Sequence, residues 1–255
     1  MTPADLIAAL DLPAAARVDQ RIPKKLLLEN GAPTATDKRA ITEGVEELLW
    51  VAALKPTTIG VAEYRDETRE YLEIAVLRMR LRAVAKTTRL IELVHRAIPY
   101  PVLLLVEQVE WVGLSVANKR WSQGQAGQTV LDGEIVTADC GGPQSWTDFP
   151  GALALRRQPG TQLFALYLGW IDVLVALNAA RLTGAFVLAA SPEQSAERRE
   201  ALREHARLVD KAARLRVSAT KETQIARQVE LNLEIQALNV SISRIWMSIA
   251  LVPPT

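Results

Sequence analysis

The sequence predicts an α+β fold: a mainly antiparallel sheet backed by helices, then a helical region that ends in a long coiled-coil-like arm or a helical hairpin. Helical and strand periodicities alternate through residues 1–150, and a stretch rich in glycine and proline follows them. After Pro192, roughly 60 residues contain neither glycine nor proline, enough for a helix on the order of 90 Å. We therefore predict an α+β domain at 1–150 and a helical region at 151–255, whose arm spans 191–250.

The first elements follow from capping residues and periodicity. Residues 3–10 predict a short helix with proline in its first turn. A second helix is predicted from Thr34 or Thr36 to about Leu54, because apolar residues there recur at steps of three and four. Residues 57–76 then predict two strands joined as a hairpin through a charged turn.

The middle of the chain predicts a helix followed by more of the sheet. Residues 86–98 have helical spacing, and prolines at 99 and 101 stop the helix. The apolar run at 102–106 predicts a buried central strand, and polar residues around Glu110 predict a turn after it. The further predicted strands are 111–116 and 134–138, and the boundary or long loop is predicted at 141–160.

Apolar and capping patterns define the helical region. Residues 161–182 predict a deeply packed helix, and its strongly apolar part, 163–177, is shorter than the roughly 20 residues that a bilayer requires. We therefore expect a core helix and no membrane span. Ser191, followed by proline, glutamate and glutamine, predicts the start of the arm.

Leucine and isoleucine residues in both halves of the arm alternate at steps of three and four, which is typical of helix–helix seams. The segment 218–228 between them is polar, so a fold-back near Ser218 is an alternative to one continuous helix. The covering helix can belong to the same chain, a second copy or another protein. The predicted partner or oligomer interface is Leu208, Leu215, Leu231, Ile235, Leu238, Ile242 and Ile245.

Composition narrows the environment and the function classes. The chain has 30 basic and 29 acidic residues, so no overall field favours nucleic acid or a membrane surface. A single cysteine, Cys140, allows no intrachain disulfide, and the N-terminus lacks a secretory signal pattern. We expect a cytoplasmic protein.

Known catalytic motifs are missing from the sequence. It contains no phosphate-binding glycine loop, dinucleotide fingerprint or nucleophile elbow, and His95, His205 and Cys140 do not form a usual zinc pattern. We therefore predict no catalytic residue, no metal and no cofactor, and the sequence favours a non-catalytic protein.

A metal-dependent nuclease would place an acid on one strand and Glu-x-Lys on its neighbour, so that carboxylates hold magnesium and lysine orients the attacking water. Neither Glu73 nor Glu107 is followed by lysine at that spacing. A displaced site that uses Glu63, Glu73 or Glu107 stays open.

Three arginines form the most suggestive polar group. Arg78, Arg80 and Arg82 have the period-two spacing that places side chains on one face of a strand. Such a row can bind a phosphate backbone. The alternative is a solvated sheet face whose arginines pair with acids such as Glu63 and Glu67.

A second basic group lies at Lys119 and Arg120, next to Trp121. Mixed cations and aromatic rings are typical of single-strand binders, so these residues join the arginines as candidate nucleic-acid contacts. The arginines at 199, 203, 207 and 214 are interleaved with acids, which favours salt bridges along the arm.

Four segments, taken together, resemble an uncharacterised bacterial domain-of-unknown-function family, and the similarity covers nearly the whole chain. The resemblance implies a genomic context beside helicases and DNA methyltransferases, in loci of the phage-defence or restriction-modification kind. It implies no catalytic residues. The segments are Ile22-Pro23-Lys24-Lys25-Leu26, Leu54-Lys55-Pro56-Thr57-Thr58-Ile59, Ile98-Pro99-Tyr100-Pro101 and Leu114-Ser115-Val116-Ala117-Asn118-Lys119-Arg120.

Three functional hypotheses follow. The favoured one is a non-catalytic accessory or scaffold protein of a bacterial DNA-processing system, which binds a helicase, a methyltransferase or its own copies through the arm. The first alternative is direct binding of nucleic acid through the basic groups. The second alternative is a divergent metal-dependent nuclease.

Overall fold

The computed structural model describes residues 1–109, 111–124, 127–141 and 147–250 of the 255-residue chain. The chain divides into two compact units, Met1–Leu177 and Asn178–Thr255. We call the first the sheet unit and the second the hairpin unit. The predicted domain boundary at residues 150 and 151 stays a prediction.

The elements are as follows. The helices up to the end of the sheet unit are α1 (Pro3–Ala9), α2 (Lys24–Asn30), α3 (Ala35–Gly44), α4 (Pro56–Ile59), α5 (Thr87–Ala97), α6 (Asp148–Leu153) and α7 (Leu163–Thr183), with short 3-10 helices at Ala14–Ala16 and Leu155–Arg157. The strands are β1 (Arg17–Arg21), β2 (Val45–Leu54), β3 (Tyr64–Arg65), β4 (Glu70–Tyr71), β5 (Ile74–Leu81), β6 (Val102–Gln108), β7 (Trp111–Val116), β8 (Lys119–Trp121), β9 (Thr129–Leu131) and β10 (Val136–Asp139).

A six-stranded sheet with the order β1-β2-β5-β6-β7-β10 forms the centre of the sheet unit. The pairing of β5 with β6 is parallel, because α5 connects the two strands as a crossover, and the other neighbouring strands pair antiparallel. The mainly antiparallel α+β fold is therefore confirmed. The predicted central strand is confirmed too, since residues 102–106 of β6 are fully buried between β5 and β7.

One face of this sheet packs against α2, α3 and α5. Alternate residues of β5, including Leu77 and Met79, contact a buried cluster with Leu90 and Val94 of α5. The intervening residues of β5 point to the opposite face, which places Arg78 and Arg80 together. The sheet thereby positions the predicted arginine group.

The predicted helix at 34–54 is wrong in its second half. Thr34 does cap α3, since its Oγ1 accepts a hydrogen bond from the backbone N–H of Asp37 at 3.1 Å. The helix ends at Gly44, and β2 begins at Val45. Residues 45–54 pair along their length with β5 and also with β1, so sheet pairing outweighs a local pattern that also fits a helix.

The predicted hairpin at 57–76 is also wrong. Residues 56–59 form α4, because Pro56 opens the helix and Gly60 ends it in the left-handed region at φ 70°. The hairpin in this region is the short pair β3 and β4, and the following strand, β5, joins the main sheet instead.

The segment predicted as a boundary or loop at 141–160 contains α6 and a 3-10 helix, in which Phe149 and Leu153 are buried. The Nε1–H of Trp170 on α7 donates to the carbonyl of Leu153 at 2.9 Å. Residues 142–146, and the predicted turn at Glu110, lie outside the described residues.

Helix α7 confirms the predicted core helix. It is long and apolar enough to cross a membrane by length and composition alone, but 67% of its most apolar window is buried inside the protein. Tyr167 shows its role: the hydroxyl donates to the carbonyl of Val102 at 2.8 Å and accepts from the N–H of Ala117 at 2.8 Å. This burial is the usual condition of a core helix in a soluble protein.

The hairpin unit consists of α8 (Pro192–Lys221) and α9 (Ile225–Ala250), packed side by side. Ser191 caps α8 as predicted, accepting from the N–H of Gln194 at 3.3 Å. Of the two predicted arrangements, the structure has the helical hairpin, and its break lies at 222–224, just beyond Ser218. The Nζ of Lys211 contacts the Oε1 of Glu234 across the two helices at 2.7 Å.

Candidate functional site

The arginines of β5 lie on one sheet face, as predicted, and carboxylates already neutralise them. Arg78 Nη2 lies 2.7 Å from Glu107 Oε1 on β6. Arg80 Nε lies 3.1 Å from Glu46 Oε2, and its Nη2 lies 3.7 Å from Glu47 Oε2, both on β2. The face is therefore balanced in charge, although the acids are not the predicted Glu63 and Glu67.

Arg82 follows the end of β5, and its role differs from that of Arg78 and Arg80. Its Nη1 donates to the carbonyls of Thr42 and Glu43, at 3.1 and 2.8 Å, in the last turn of α3. Those carbonyls lack partners within the helix, and a cation there also meets the negative end of the helix dipole. Arg82 thus stabilises α3 and shares no ligand with Arg78 or Arg80.

Lys119 and Arg120 lie on β8, which pairs with β9 in a separate two-stranded sheet. Lys119 is only 2% exposed, and its ammonium donates to the carbonyls of His95 and Ile98 at the end of α5. Burial lowers the pKa of Lys119 to about 8. Arg120 Nε lies 3.6 Å from Asp132 Oδ1. The structure therefore does not join the five predicted nucleic-acid contacts into one exposed surface.

A hydrogen-bonded group, in which the histidine and the serine are fully buried and the threonine is partly buried, lies behind Lys119. His95 Nε2 lies 2.9 Å from Ser115 Oγ, which accepts a hydrogen bond from Thr137 Oγ1 at 3.2 Å. Burial, with a smaller effect of the Lys119 charge, lowers the pKa of His95 to about 3, so the imidazole is neutral at neutral pH. A serine beside a histidine is the chemistry of an activated nucleophile, but neither side chain is exposed to solvent.

The three glutamates of the alternative metal site are each paired with a cation. Glu73 Oε2 lies 3.1 Å from Lys55 Nζ, and Glu63 Oε1 lies 3.5 Å from Arg65 Nε, while Glu107 faces Arg78. In the described parts of the chain, no group of three or more His, Cys, Asp or Glu side chains is arranged to hold a metal ion. Strand β5, which pairs with β2 beside Glu46 and Glu47, has the sequence Arg78-Met79-Arg80 there. A metal-dependent nuclease would have Glu-x-Lys on such a strand.

A groove of about 760 Å³ lies between α5 and the strands β7 and β10. Trp111 lies in its wall, with its ring over Gly113, where a Cβ atom would come within 2.4 Å of the ring. The volume suits a small molecule. Two carboxylates line the groove, and one of them, Glu92, already contacts Arg89 and Arg96, each at 2.7 Å, while the other is Glu134.

The predicted interface residues of the arm lie in the interior of the hairpin. They form two apolar clusters between α8 and α9, together with Ala212 and Ala219, and so cover one another within a single chain. A surface for another molecule must therefore lie elsewhere on the hairpin. The seven predicted residues placed in this interior are Leu208, Leu215, Leu231, Ile235, Leu238, Ile242 and Ile245.

Helix α9 has a second apolar stripe on the side opposite this interior. Val229, Leu233, Val240 and Met247 are 51, 60, 59 and 45% exposed. With three small or polar residues they repeat at alternating steps of three and four. The outer face of α9 consists of Ala226, Val229, Leu233, Gln236, Val240, Ser243 and Met247.

The outer face of α8 has the opposite character. Arginines there pair along the helix with acids, for example Arg207 Nε with Glu204 Oε2 and Arg214 Nη2 with Asp210 Oδ2, both at 2.6 Å. The predicted salt bridges are thus present. Val209 and Val217 are the exposed valines of α8, 40 and 55% exposed, and Val217 provides a matched control for the stripe on α9.

Sequence reasoning missed the outer face of α9. The signal was present, because valine and leucine recur at 229, 233 and 240 beside the stronger pattern at 231, 235 and 238. Two apolar stripes on one helix indicate two packing partners. The buried state of Lys119 had no comparable signal, since an isolated lysine in a strand is usually exposed.

Comparison with protein families supports the resemblance carried by the four segments. A family model described as "Domain of unknown function (DUF4391)" matches residues 10–242. No curated protein and no solved structure matches the chain significantly. Because the match spans nearly all of the sheet unit and most of the hairpin unit, the chain belongs to the DUF4391 family of domains of unknown function.

Proposed function

We propose that this protein is a non-catalytic accessory or scaffold protein of a cytoplasmic bacterial DNA-processing system, of the phage-defence or restriction-modification kind. The outer face of α9 is the observation that carries the proposal. Its large apolar residues are roughly half exposed or more over about six turns of helix. A largely apolar stripe of this length, even with Gln236 and Ser243 in it, favours aggregation in water unless another protein surface covers it.

The polar groups of the sheet unit support the same proposal. Arg78, Arg80 and Glu107 bond within the unit, and Lys119 and His95 are buried. A binding site for phosphate or a metal ion uses side chains whose bonding capacity is available to the ligand. Most bonds of these groups instead hold the fold together, although Nε of Arg78 and Nδ1 of His95 have no hydrogen-bond partner among the described residues.

The compartment and the class of partner in this proposal have separate support. The single cysteine, Cys140, is a buried thiol, which fits a reducing compartment. The family resemblance supplies the class of partner, a helicase or a DNA methyltransferase. The sheet unit then offers a second contact surface for that enzyme.

Affinity capture from the native host tests the proposal. The tagged wild-type chain, after nuclease treatment, should recover a DNA-processing enzyme, and Leu233→Glu should strongly reduce the recovery. Val217→Glu places the same charge on the outer face of α8 and should leave recovery unchanged. Recovery of no such enzyme by the wild-type chain, or equal recovery by all three proteins, would count against the accessory role.

A further inference from the structure

We infer that the outer face of α9 pairs in antiparallel orientation with the same face of a second copy of this chain. This inference rests on the proposed function and refines it: a second copy covers the exposed stripe, and the paired chains form the scaffold that binds the enzyme. The first support is spacing. The outer face runs from Ala226 to Met247 with steps of three and four throughout, the heptad spacing by which two helices interlock along a seam on the order of 30 Å long.

The second support is that the order of apolar and polar residues along the seam is similar from either end of α9. Gln236 lies near its middle, with Leu233 on one side and Val240 on the other. An antiparallel pair centred close to Gln236 places Val229 in one layer with Val240 of the second copy, and Leu233 in the next layer with Gln236 of that copy. Gln236 is then the polar residue in a largely apolar seam, and such a residue fixes register.

Charge on one flank gives the third support. Glu230 and Arg244 lie on the same side of the seam, separated by two heptads, with the small Ala237 between them. In an antiparallel pair this flank meets itself, so Glu230 lies opposite Arg244 of the second copy, and the same contact occurs twice. Among the described residues Arg244 is exposed and forms no salt bridge, whereas Glu230 contacts Arg227 at 2.5 Å on the surface.

The other flank matches in the same way. It carries Ile225, Asn232, Asn239 and Trp246 at steps of seven, all exposed. In the antiparallel pair, Ile225 of one copy lies near Trp246 of the other. Asn232 of one copy lies near Asn239 of the other. Apolar side chains then meet apolar ones, and the amide of Asn239, whose Oδ1 accepts a hydrogen bond from Arg216 on α8 at 3.2 Å, can still donate to the amide of Asn232.

A parallel pair lacks these matches. It would place the charged flank of one helix against the uncharged flank of the other, so Glu230 and Arg244 would meet no opposite charge. A two-fold antiparallel pair uses the same surface on both copies, as symmetric dimers do. The charged outer face of α8, which lies on the far side of each hairpin, remains free to face water.

Sedimentation equilibrium of the purified full chain tests the pairing. We expect the wild-type protein and Val217→Glu to dimerise, and Leu233→Glu to weaken the dimer on the order of 100-fold or more, because it buries two unpaired carboxylates in the seam. Arg244→Glu should weaken it roughly tenfold by opposing like charges, and the exchange Glu230→Arg with Arg244→Glu should restore it. Circular dichroism confirms that each variant retains the hairpin.

Thiol cross-linking then tests the orientation, in a Cys140→Ala background that contains no other cysteine. An antiparallel pair predicts that a mixture of Ala226→Cys and Ser243→Cys chains gives cross-linked dimers, while neither chain alone does. Cross-linking of each variant with itself would overturn the antiparallel arrangement, and a monomeric wild-type chain would overturn self-pairing altogether.

The two experiments together separate this inference from the proposed function. If a monomeric wild-type chain captures its host enzyme and loses it on Leu233→Glu, the accessory function stands and only the self-pairing fails. If the wild-type chain dimerises through the outer face of α9 but captures no enzyme, the self-pairing stands and the accessory function fails.

Discussion

The two helices of the hairpin share one apolar interior, yet their outer faces meet different surroundings. On α8 the outer face is dominated by arginines paired with acids one turn away, as in Arg207 with Glu204, with Val217 exposed among them. On α9 the corresponding face exposes Leu233 and Val240 among uncharged residues. The charged face of α8 is typical of a surface in contact with water, and the apolar face of α9 is typical of a surface that contacts another protein. The difference identifies one side of the hairpin, and not the other, as the assembly surface.

The charged groups of the sheet unit resemble α8 in this respect, because they have partners inside the fold. Changes to them, and to the hairpin interior, should therefore alter stability. Changes to the outer face of α9 should alter assembly.

The first prediction compares two leucines on α9. Leu238→Ala, in the hairpin interior, should lower the free energy of unfolding by about 2–4 kcal/mol, because it leaves a cavity between the helices. Leu233→Ala, on the outer face, should lower it by less than about 0.5 kcal/mol in the monomer. Urea denaturation at low protein concentration measures both, and equal losses would contradict the assignment of an inner and an outer face.

The second prediction concerns the buried lysine. Lys119→Met keeps the length of the side chain but removes the donor for the carbonyls of His95 and Ile98. We expect the free energy of unfolding to fall by about 1–3 kcal/mol, since buried acceptors lose their partner. Urea denaturation measures the loss, with Arg120→Met on the same strand as the control, which should cost less because Arg120 is more exposed. An unchanged stability would contradict the structural role.

The third prediction separates the arginine pairs from a nucleic-acid site. Charge reversal of Arg78 and Arg80 to glutamate should lower stability by roughly 1 kcal/mol for each partly exposed pair. Affinity for DNA or RNA should stay weak in both proteins at every salt concentration. A wild-type affinity that falls steeply with salt and collapses on reversal would favour the nucleic-acid hypothesis instead.

The fourth prediction is a pH dependence at the contact between α3 and α5. Two hydrogen bonds from Arg89, with a further one from Thr34, lower the pKa of Asp37 to about 2. An aspartate with a lowered pKa in the folded state stabilises the fold above its ordinary value near 4, and this contribution is lost as pH falls toward 2.

Arg89→Ala should therefore lower the denaturation midpoint at neutral pH, and its difference from the wild type should shrink as pH falls from about 5 to about 3. Arg96→Ala removes an exposed ion pair from the same helix and serves as the control. A difference between wild type and Arg89→Ala that stays constant across this range would show that Asp37 does not titrate as described.

Much of the fold could be predicted where one periodicity is dominant. The spacing in 87–97 fits only a helix, and the apolar run at 102–106 is too short for one, so α5 and β6 followed from local pattern. Strand β2 did not, because its apolar residues satisfy helical steps while its pairing partner, β5, lies far along the chain. Whether residues 45–54 form a helix or a strand depends on contacts with distant residues, which a short stretch of sequence does not contain.

The candidate sites show the same limit. The period-two spacing of Arg78 and Arg80 correctly placed them on one face, but their partners Glu46, Glu47 and Glu107 come from two other strands. Spacing predicts which side chains share a face and says nothing about which charges meet there. The choice between a continuous arm and a hairpin was likewise open, because the polar segment near Ser218 permits both.

The most direct test of the assembly surface is the molar mass of the purified chain over a series of concentrations, by light scattering, for wild type, Leu233→Glu and Val217→Glu. We predict that the wild type and Val217→Glu approach twice the 28.0 kDa chain mass, while Leu233→Glu remains a folded monomer. A single monomeric mass for all three proteins would contradict pairing through the outer face of α9. A dimer that persists in Leu233→Glu would show that the copies meet at another surface.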